Sequence, residues 1–267
     1  MIFRLAALLL ASSTMIGSAA AGTVCTIVAD ARTGKTLLEE GRCDQRITSA
    51  STFKIAISLM GYDAGILKDA HHPALPFKKG YADWLPIWRQ TTDPSSWMKN
   101  SVVWYSQQVT QALGEARFRD YVRAFDYGNQ DVSGDPGKND GLTRSWLSSS
   151  LKISPVEQVA FLRKVVNREL PVSAYAIEMT AQLTALDVAG GWDIHGKTGA
   201  GRATKADGTP GNAQGWFVGW ATKGDRTLVF ARQVEDEKTE AVSPGIRTRD
   251  AMLKELPAML DKLQAAD

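Results

Sequence analysis

The sequence is poor in the residues that bind transition metals or carry redox chemistry. It contains two cysteines and three histidines among 267 residues. His71, His72 and His195 show no metal-ligand spacing with one another or with a cysteine. A zinc enzyme is therefore not expected, and the sequence predicts no metal site.

The sequence also has almost no excess of charge. Its formal net charge is +2, and removal of Arg4 with an N-terminal leader would lower this to +1. Such a balance argues against strong electrostatic attraction to nucleic acid or to an anionic membrane surface. Neither class of partner is expected.

Apart from the N-terminus, the chain lacks an apolar run of about 18 residues that could span a bilayer. Met1 to Arg4 is a basic start, Leu5 to Ile16 is a short apolar core, and Ala19-Ala20-Ala21 offers small residues for cleavage before Gly22. This pattern predicts a secretory signal peptide over residues 1–21 and a periplasmic or secreted mature protein. The alternative is an uncleaved N-terminal anchor.

The two cysteines flank one predicted β-hairpin. Cys25 and Cys43 lie at the ends of a segment whose middle, Ala31 to Lys35, has the composition of a turn. In an oxidising compartment they are well placed to form a disulfide, which would add about 3 kcal/mol by restricting the unfolded chain. The alternative is two buried free thiols.

Strand and helix signals are distributed unevenly along the chain. Strand patterns occupy about 23–40 and the segments 192–197, 216–220 and 227–231, whereas about 66–185 is typical of helices broken by proline and glycine. We predict an α+β fold: an antiparallel sheet of about five strands flanked by N- and C-terminal helices, with a helical subdomain inserted. The expected lobes are an α/β lobe (about 22–65 and 186–267) and a helical lobe (about 66–185). In the last helix, about 246–263, the residues expected to pack on the sheet are Ile246, Ala251, Leu253, Leu256 and Leu260.

Ser51-Thr52-Phe53-Lys54 places a hydroxyl and an amine one helical turn apart. Residues at i and i+3 share a helix face, so Lys54 can reach the Ser51 oxygen and help to remove its proton. The same tetrapeptide also occurs where a serine merely caps a helix and the lysine is solvated. Two later segments, Ser101-Val102-Val103 and Lys197-Thr198-Gly199, favour the catalytic interpretation.

These three motifs, in this order, resemble the set found in penicillin-reactive serine enzymes. The second motif is Ser-Val-Val, Tyr127-Gly128-Asn129 follows it, and Trp146-Leu147 comes later. In these details the chain resembles the class D, oxacillinase-type serine β-lactamases, from about Thr23 to the last helix. The resemblance implies hydrolysis of small-molecule β-lactam antibiotics by a monomer or homodimer.

The resemblance also implies roles for individual residues. Ser51 would be the nucleophile, and the backbone N–H groups of Ser51 and Ala200 would hold the oxyanion. Ser101 would relay a proton to the leaving β-lactam nitrogen, and Lys197 would supply positive charge beside it. Arg247, assisted by Thr198, would bind the substrate carboxylate, while Arg249 would point elsewhere; the alternative is that the two arginines exchange roles.

An unmodified lysine is a poor base at neutral pH because its pKa is about 10.4. In class D enzymes the corresponding lysine is carboxylated by carbon dioxide, and the resulting carbamate is the general base for acylation and deacylation. No other cofactor is implied. The residues that match its apolar pocket are Val103, Trp146 and Leu147, with the Trp146 N–H as a donor to the carbamate; the alternative for Trp146 is ordinary core packing.

Two further segments have less definite interpretations. Tyr127-Gly128-Asn129 is either a turn that braces the cleft wall or a direct substrate contact. The acidic cluster Glu235-Asp236-Glu237 is most simply a solvated turn before the last helix.

Two other functions use the same nucleophile geometry. Penicillin-sensing receptor domains remain acylated, but they sit on membrane-spanning proteins and typically carry Asn where Val103 stands. Peptidoglycan transpeptidases and carboxypeptidases usually show Ser-x-Asn at the second motif. Both are less consistent with this sequence than a β-lactamase.

Overall fold

A computed structural model of the protein describes residues 22–204 and 209–265, and the proposed leader, residues 1–21, lies outside them. Within the described ranges the strands are β1 (Gly22–Asp30), β2 (Thr36–Gly41), β3 (Ile47–Thr48), β4 (Lys152–Ile153), β5 (Asp193–Thr204), β6 (Pro210–Lys223) and β7 (Arg226–Glu235). Five of them form an antiparallel sheet in the order β2-β1-β7-β6-β5, and β3 pairs with β4. The predicted sheet of about five antiparallel strands is confirmed.

Helices cover the sheet and fill the middle of the chain. Asp93, Ser154 and Ser173 cap three of them by accepting a hydrogen bond from a backbone N–H in the first turn. In chain order the α-helices of the described residues are α1 (Lys54–Asp63), α2 (Pro94–Asn100), α3 (Val103–Leu113), α4 (Glu115–Ala124), α5 (Gly141–Arg144), α6 (Pro155–Val166), α7 (Ala174–Thr184) and α8 (Pro244–Ala265).

The sheet is buried on both faces. In β7, Val229 and Ala231 belong to the main core, which includes residues of α1, α3 and α6, whereas Leu228 and Phe230 pack with residues of α8. Successive strand residues point to opposite faces, so a strand covered on both sides is apolar at every position. This explains the uninterrupted run from Leu228 to Ala231.

The buried face of α8 differs from the predicted one. Met252, Leu256 and Leu260 are fully buried and recur every fourth residue, as one face of a helix requires. Ile246 is 39% exposed and Ala251 is also exposed. The expected set therefore included two solvent-facing positions and omitted Met252.

The predicted disulfide is present. Cys25 in β1 and Cys43, just after β2, are bonded and both are buried. The cross-link joins the two strands of the first hairpin near their open end. Among the described helices, none is both long enough and apolar enough to cross a membrane.

Candidate active site

Ser51 lies in a short 3-10 turn, Ala50–Phe53, that leads directly into α1 at Lys54. The Nζ atom of Lys54 is 3.3 Å from the Oγ atom of Ser51. Ser51 is partly exposed, whereas Lys54 is fully buried. The hydroxyl and the amine are therefore close together, as predicted, with the amine on a fully buried side chain.

The backbone beside both candidate serines is left-handed. Ala50 has a φ of 48° and Ser101, at the end of α2, has a φ of 56°. For a residue with a Cβ this conformation costs about 1–2 kcal/mol. Strain of this kind is often held at functional sites.

Burial controls the charge of Lys54. Loss of solvation, with the nearby positive charge of Lys197 as a second cause, holds the pKa of the Lys54 amine well below its usual value. The neutral amine is thereby favoured. A neutral amine can accept a proton or add to carbon dioxide, whereas an ammonium group can do neither.

Lys197 on β5 lies between Ser101 and Thr198. Its Nζ atom is 3.1 Å from Ser101 Oγ and 3.3 Å from Thr198 Oγ1. Burial, and secondarily the charge of Arg249, lowers the pKa of Lys197 to about 7. The ammonium and the amine are both accessible near neutral pH, so this group can donate and regain a proton through Ser101.

An aromatic cluster surrounds Phe53, the residue before Lys54. The ring of Phe53 lies 4.9 Å from that of Tyr127, 5.6 Å from that of Trp146 and 5.9 Å from that of Phe118, between ring centroids. Val103 and Leu147, like these four rings, are buried in the main core. Sequence reasoning identified Trp146, Val103 and Leu147 but missed Phe118.

Among the described residues, the indole N–H of Trp146 finds no hydrogen-bond partner, although the side chain is fully buried. The other fully buried tryptophans donate to protein acceptors: Trp97 to Ser106, Trp104 to Trp88, Trp192 to Asp261 and Trp216 to Thr48. A buried N–H without a partner costs about 1–3 kcal/mol. Trp146 is thus the exception among them, and its donor is available for an acceptor that is not a protein atom.

The free edge of the sheet runs along the 3-10 turn that carries Ser51. β5 is the last strand of the sheet, and a Cβ on Gly199 would lie 3.1 Å from the carbonyl oxygen of Ser49 and 3.0 Å from Thr52 Cγ2. A larger residue at position 199 would push the strand away. The small residue therefore holds Ala200 beside the nucleophile.

Two cavities are lined by successive residues of β5. One, of about 620 Å³, is lined by Lys197, Thr198 and Arg249 among others. The other, of about 550 Å³, is lined by Ala50, Leu147 and Ala200 among others. The first cavity therefore has cationic side chains at its wall, and the second contains Ala50, the residue before Ser51.

The contacts of the two arginines favour Arg249 over Arg247 as the residue that faces the cleft. Both guanidinium contacts of Arg247 with Asp236 measure 2.6 Å, and Arg247 also donates to the Val242 carbonyl. Arg249, which was expected to point elsewhere, lines the cavity beside Lys197 and otherwise pairs with its neighbour Asp250. Residues two apart on a helix lie about 200° apart, so both cannot face the same cleft.

The same ion pair shows that the interpretation of Glu235-Asp236-Glu237 as a solvated turn was wrong for Asp236. Asp236 is 4% exposed and is the buried partner of Arg247, so it is not part of a solvated turn.

Tyr127-Gly128-Asn129 braces the cleft wall from behind. The Asn129 side chain donates to the carbonyl of Ser150 and accepts from the backbone N–H of Lys152. The buried Tyr127 hydroxyl lies 3.5 Å from Gln158, which also donates to Thr52. Of the two interpretations, the bracing turn agrees with these contacts.

Comparisons with known proteins place the chain among penicillin-reactive enzymes. Residues 24–256 match the family described as penicillin binding protein transpeptidase domain. Beta-lactamase OXA-9 of Klebsiella pneumoniae is 46% identical over 244 residues, which is 88% of either chain. Beta-lactamase OXA-1 of Escherichia coli is 40% identical over 235 residues, covering 84% of this chain and 80% of its own length. The crystal structure of OXA-427 class D beta-lactamase aligns with a TM-score of 0.86 at 50% identity, covering 90% of this chain and 99% of that chain.

Proposed function

The chain belongs to the class D serine β-lactamases, which hydrolyse β-lactam antibiotics, and we propose that it does so through an acyl-enzyme on Ser51 with base chemistry centred on Lys54. The observation that carries this proposal is the 3.3 Å contact between a partly exposed Ser51 hydroxyl and a fully buried Lys54 amine. A hydroxyl with its base already in reach is the arrangement that nucleophilic catalysis requires.

In acylation the Ser51 Oγ atom forms a bond to the β-lactam carbonyl carbon, and its proton passes to the base at position 54. The backbone N–H groups of Ser51 and Ala200 stabilise the oxyanion of the tetrahedral intermediate. As the ring C–N bond breaks, Ser101 gives its proton to the departing nitrogen and regains one from Lys197. The 3.1 Å contact between Lys197 and Ser101 supports this route, and a pKa near 7 suits a group that must give and regain a proton.

The pocket of Lys54 fits a carbamate formed with carbon dioxide. The lysine pKa is lowered by burial, Val103 and Leu147 belong to the same apolar core as Trp146, and the Trp146 N–H lacks an acceptor among the described residues. A carbamate bound there would supply an anionic oxygen that serves as general base at neutral pH. The role of Trp146 is to donate to it, and the role of the apolar side chains is to keep the free amine uncharged.

We propose that Arg249 and Thr198 bind the carboxylate of the substrate. Both line the cavity next to Lys197, whereas Arg247 is occupied by the buried Asp236. A guanidinium and a hydroxyl on one wall match the planar carboxylate that β-lactams carry. The ring carboxylate would then lie on the Thr198 side of the reacting carbonyl.

We also propose that the enzyme is exported and acts in the periplasm or outside the cell. The basic and apolar leader over residues 1–21 and the disulfide between Cys25 and Cys43 support an oxidising compartment. The mass of the mature protein purified from its native host should correspond to a chain that begins at Gly22. A chain retaining Met1 would contradict cleavage.

Penicillin turnover tests the proposed chemistry. We expect the purified enzyme to show a burst and then steady hydrolysis of a penicillin, because deacylation requires a base beside the acyl-enzyme. Ser51→Ala should abolish both phases. Lys54→Ala should slow the burst and abolish steady turnover, because the base at position 54 acts in both steps. Lys164→Ala, a change on the surface of α6, serves as the control.

A burst without turnover in the wild-type enzyme would identify a penicillin-sensing domain instead. Full activity of Lys54→Ala would refute the role given to Lys54.

A further inference from the structure

An exposed indole stands at the rim of the second cavity. Trp84 is 60% exposed, which is unusual for so large an apolar side chain, and it lines this cavity together with Ala50 and Ala200. Its ring lies 5.6 Å from that of Trp88, which is buried and donates to the carbonyl of Asn100. The exposed Trp84 ring therefore packs against a buried Trp88 that is hydrogen-bonded to the residue before Ser101.

The guanidinium of Arg202 lines the same cavity. Arg202 is exposed on β5, its backbone N–H donates to Ser148, and its side chain donates to the Gly211 carbonyl at 3.3 Å. Among the described residues no carboxylate pairs with it. The other charged groups that line the cavity are paired: Arg144 with Asp135, Asp236 with Arg247, and Glu240 with Lys238.

The spacing along β5 relates this cavity to the reaction. Thr198, Ala200 and Arg202 alternate along the strand and share a face, while Gly199 and Gly201 point toward the segment before and including the 3-10 turn. A strand rises about 3.3 Å per residue, so Arg202 lies about 7 Å beyond Ala200 and about 13 Å beyond Thr198. A β-lactam has its ring carboxylate on one side of the reactive carbonyl and its acylamino side chain on the other. With the ring carboxylate toward Thr198, the acyl side chain extends toward Trp84 and Arg202.

We propose that the cavity between Trp84 and Arg202 is a subsite for an aryl acyl side chain that carries its own carboxylate, as in an α-carboxyarylacetyl penicillin. The aryl ring packs against the exposed indole, and the side-chain carboxylate binds the free guanidinium. This inference rests on the proposed function and adds a substrate class to it.

A matched pair of penicillins isolates the interaction. Benzylpenicillin and its α-carboxy derivative differ by one carboxylate, so the ratio of their kcat/KM values reports on that group alone. We expect Arg202→Ala to lower the kcat/KM of the α-carboxy derivative relative to that of benzylpenicillin by about fivefold to tenfold. This is the effect expected of one charge-assisted hydrogen bond at an exposed site. Arg202→Lys should keep much of the ratio. Salt near 0.5 M should move the wild-type ratio toward that of Arg202→Ala, because exposed charges are screened.

Two further variants complete the design. Trp84→Ala should lower kcat/KM for both penicillins by a similar factor, because both carry the aryl ring. Arg119→Ala removes a guanidinium of the remote helix α4 and is the control.

A ratio that Arg202→Ala leaves unchanged, with both penicillins still hydrolysed by the wild-type enzyme, would overturn this subsite and leave the proposed function standing. Absence of wild-type turnover with both penicillins would overturn both.

Discussion

Trp146→Phe tests whether the buried indole donor has an acceptor on Lys54. The change keeps an aromatic ring in contact with Phe53 and Phe118 but removes an N–H that no described protein atom accepts. A hydrogen bond to a charged acceptor contributes about 1.5–3 kcal/mol. At about 1.4 kcal/mol per factor of ten, the bicarbonate concentration that gives half-maximal turnover should rise by roughly tenfold to a hundredfold.

The thermal stabilities of the wild-type enzyme and of Trp146→Phe provide a second test. A ligand that binds the native state alone raises the unfolding temperature, so bicarbonate should stabilise the wild-type enzyme. The same bicarbonate concentration should stabilise Trp146→Phe much less. Without bicarbonate the variant should lose little stability, because removal of an unpartnered N–H offsets the smaller ring.

Trp104→Phe is the matched control. Trp104 is equally buried, but its N–H donates to the Trp88 carbonyl at 2.9 Å. Its loss should lower stability at every bicarbonate concentration without a change in bicarbonate dependence. If Trp146→Phe turned over penicillin as fast as the wild-type enzyme in buffer depleted of carbon dioxide, the reasoning would be refuted.

Two other predictions concern charged groups around the cleft. Arg249→Ala should raise KM for penicillins by about tenfold, because the contact with the substrate carboxylate is lost. Arg247→Ala should instead lower the free energy of unfolding by about 3–5 kcal/mol, because Asp236 is left buried and unpaired. Steady-state kinetics and urea denaturation distinguish the two effects, and the reverse pattern would contradict the assignment. Burial lowers the pKa of Lys197 to about 7, so between pH 7 and about 10.4 the unfolded chain binds a proton that the native state has lost. The free energy of unfolding should therefore rise with pH in this range, by up to about 1.4 kcal/mol per pH unit. Denaturation of Lys197→Met at each pH should lack this increase, and parallel pH profiles of the two proteins would contradict the prediction.

Much of the fold followed from local patterns in the sequence. The antiparallel sheet and the disulfide were predictable because alternation and turn composition act over a few residues. The strand ends were less predictable. β5 continues through Gly199, Gly201 and Arg202, which have little strand preference, because pairing with β6 supplies the hydrogen bonds.

The site was predictable where a motif fixes both residue type and spacing, as with Ser51 and Lys54. It was not predictable where the answer depends on a helix rotation. The choice between Arg247 and Arg249 turns on which face of α8 meets β5, and the apolar pattern of that helix was misread by including Ile246 and Ala251. Phe118 could not be found either, because an apolar residue on an amphipathic helix gives no signal of what it touches across the core.

The order of strands has a consequence for synthesis and truncation. β1, the first strand of the described chain, is held between β2 and β7, and β7 comes about 200 residues later. Pairing over so long a separation is slow and cannot begin until the ribosome has added the final strand. A chain that stops before β7 would still contain every motif residue from Ser51 to Lys197. It would lack the strand that joins β1 to β6, so the sheet that positions these residues could not form.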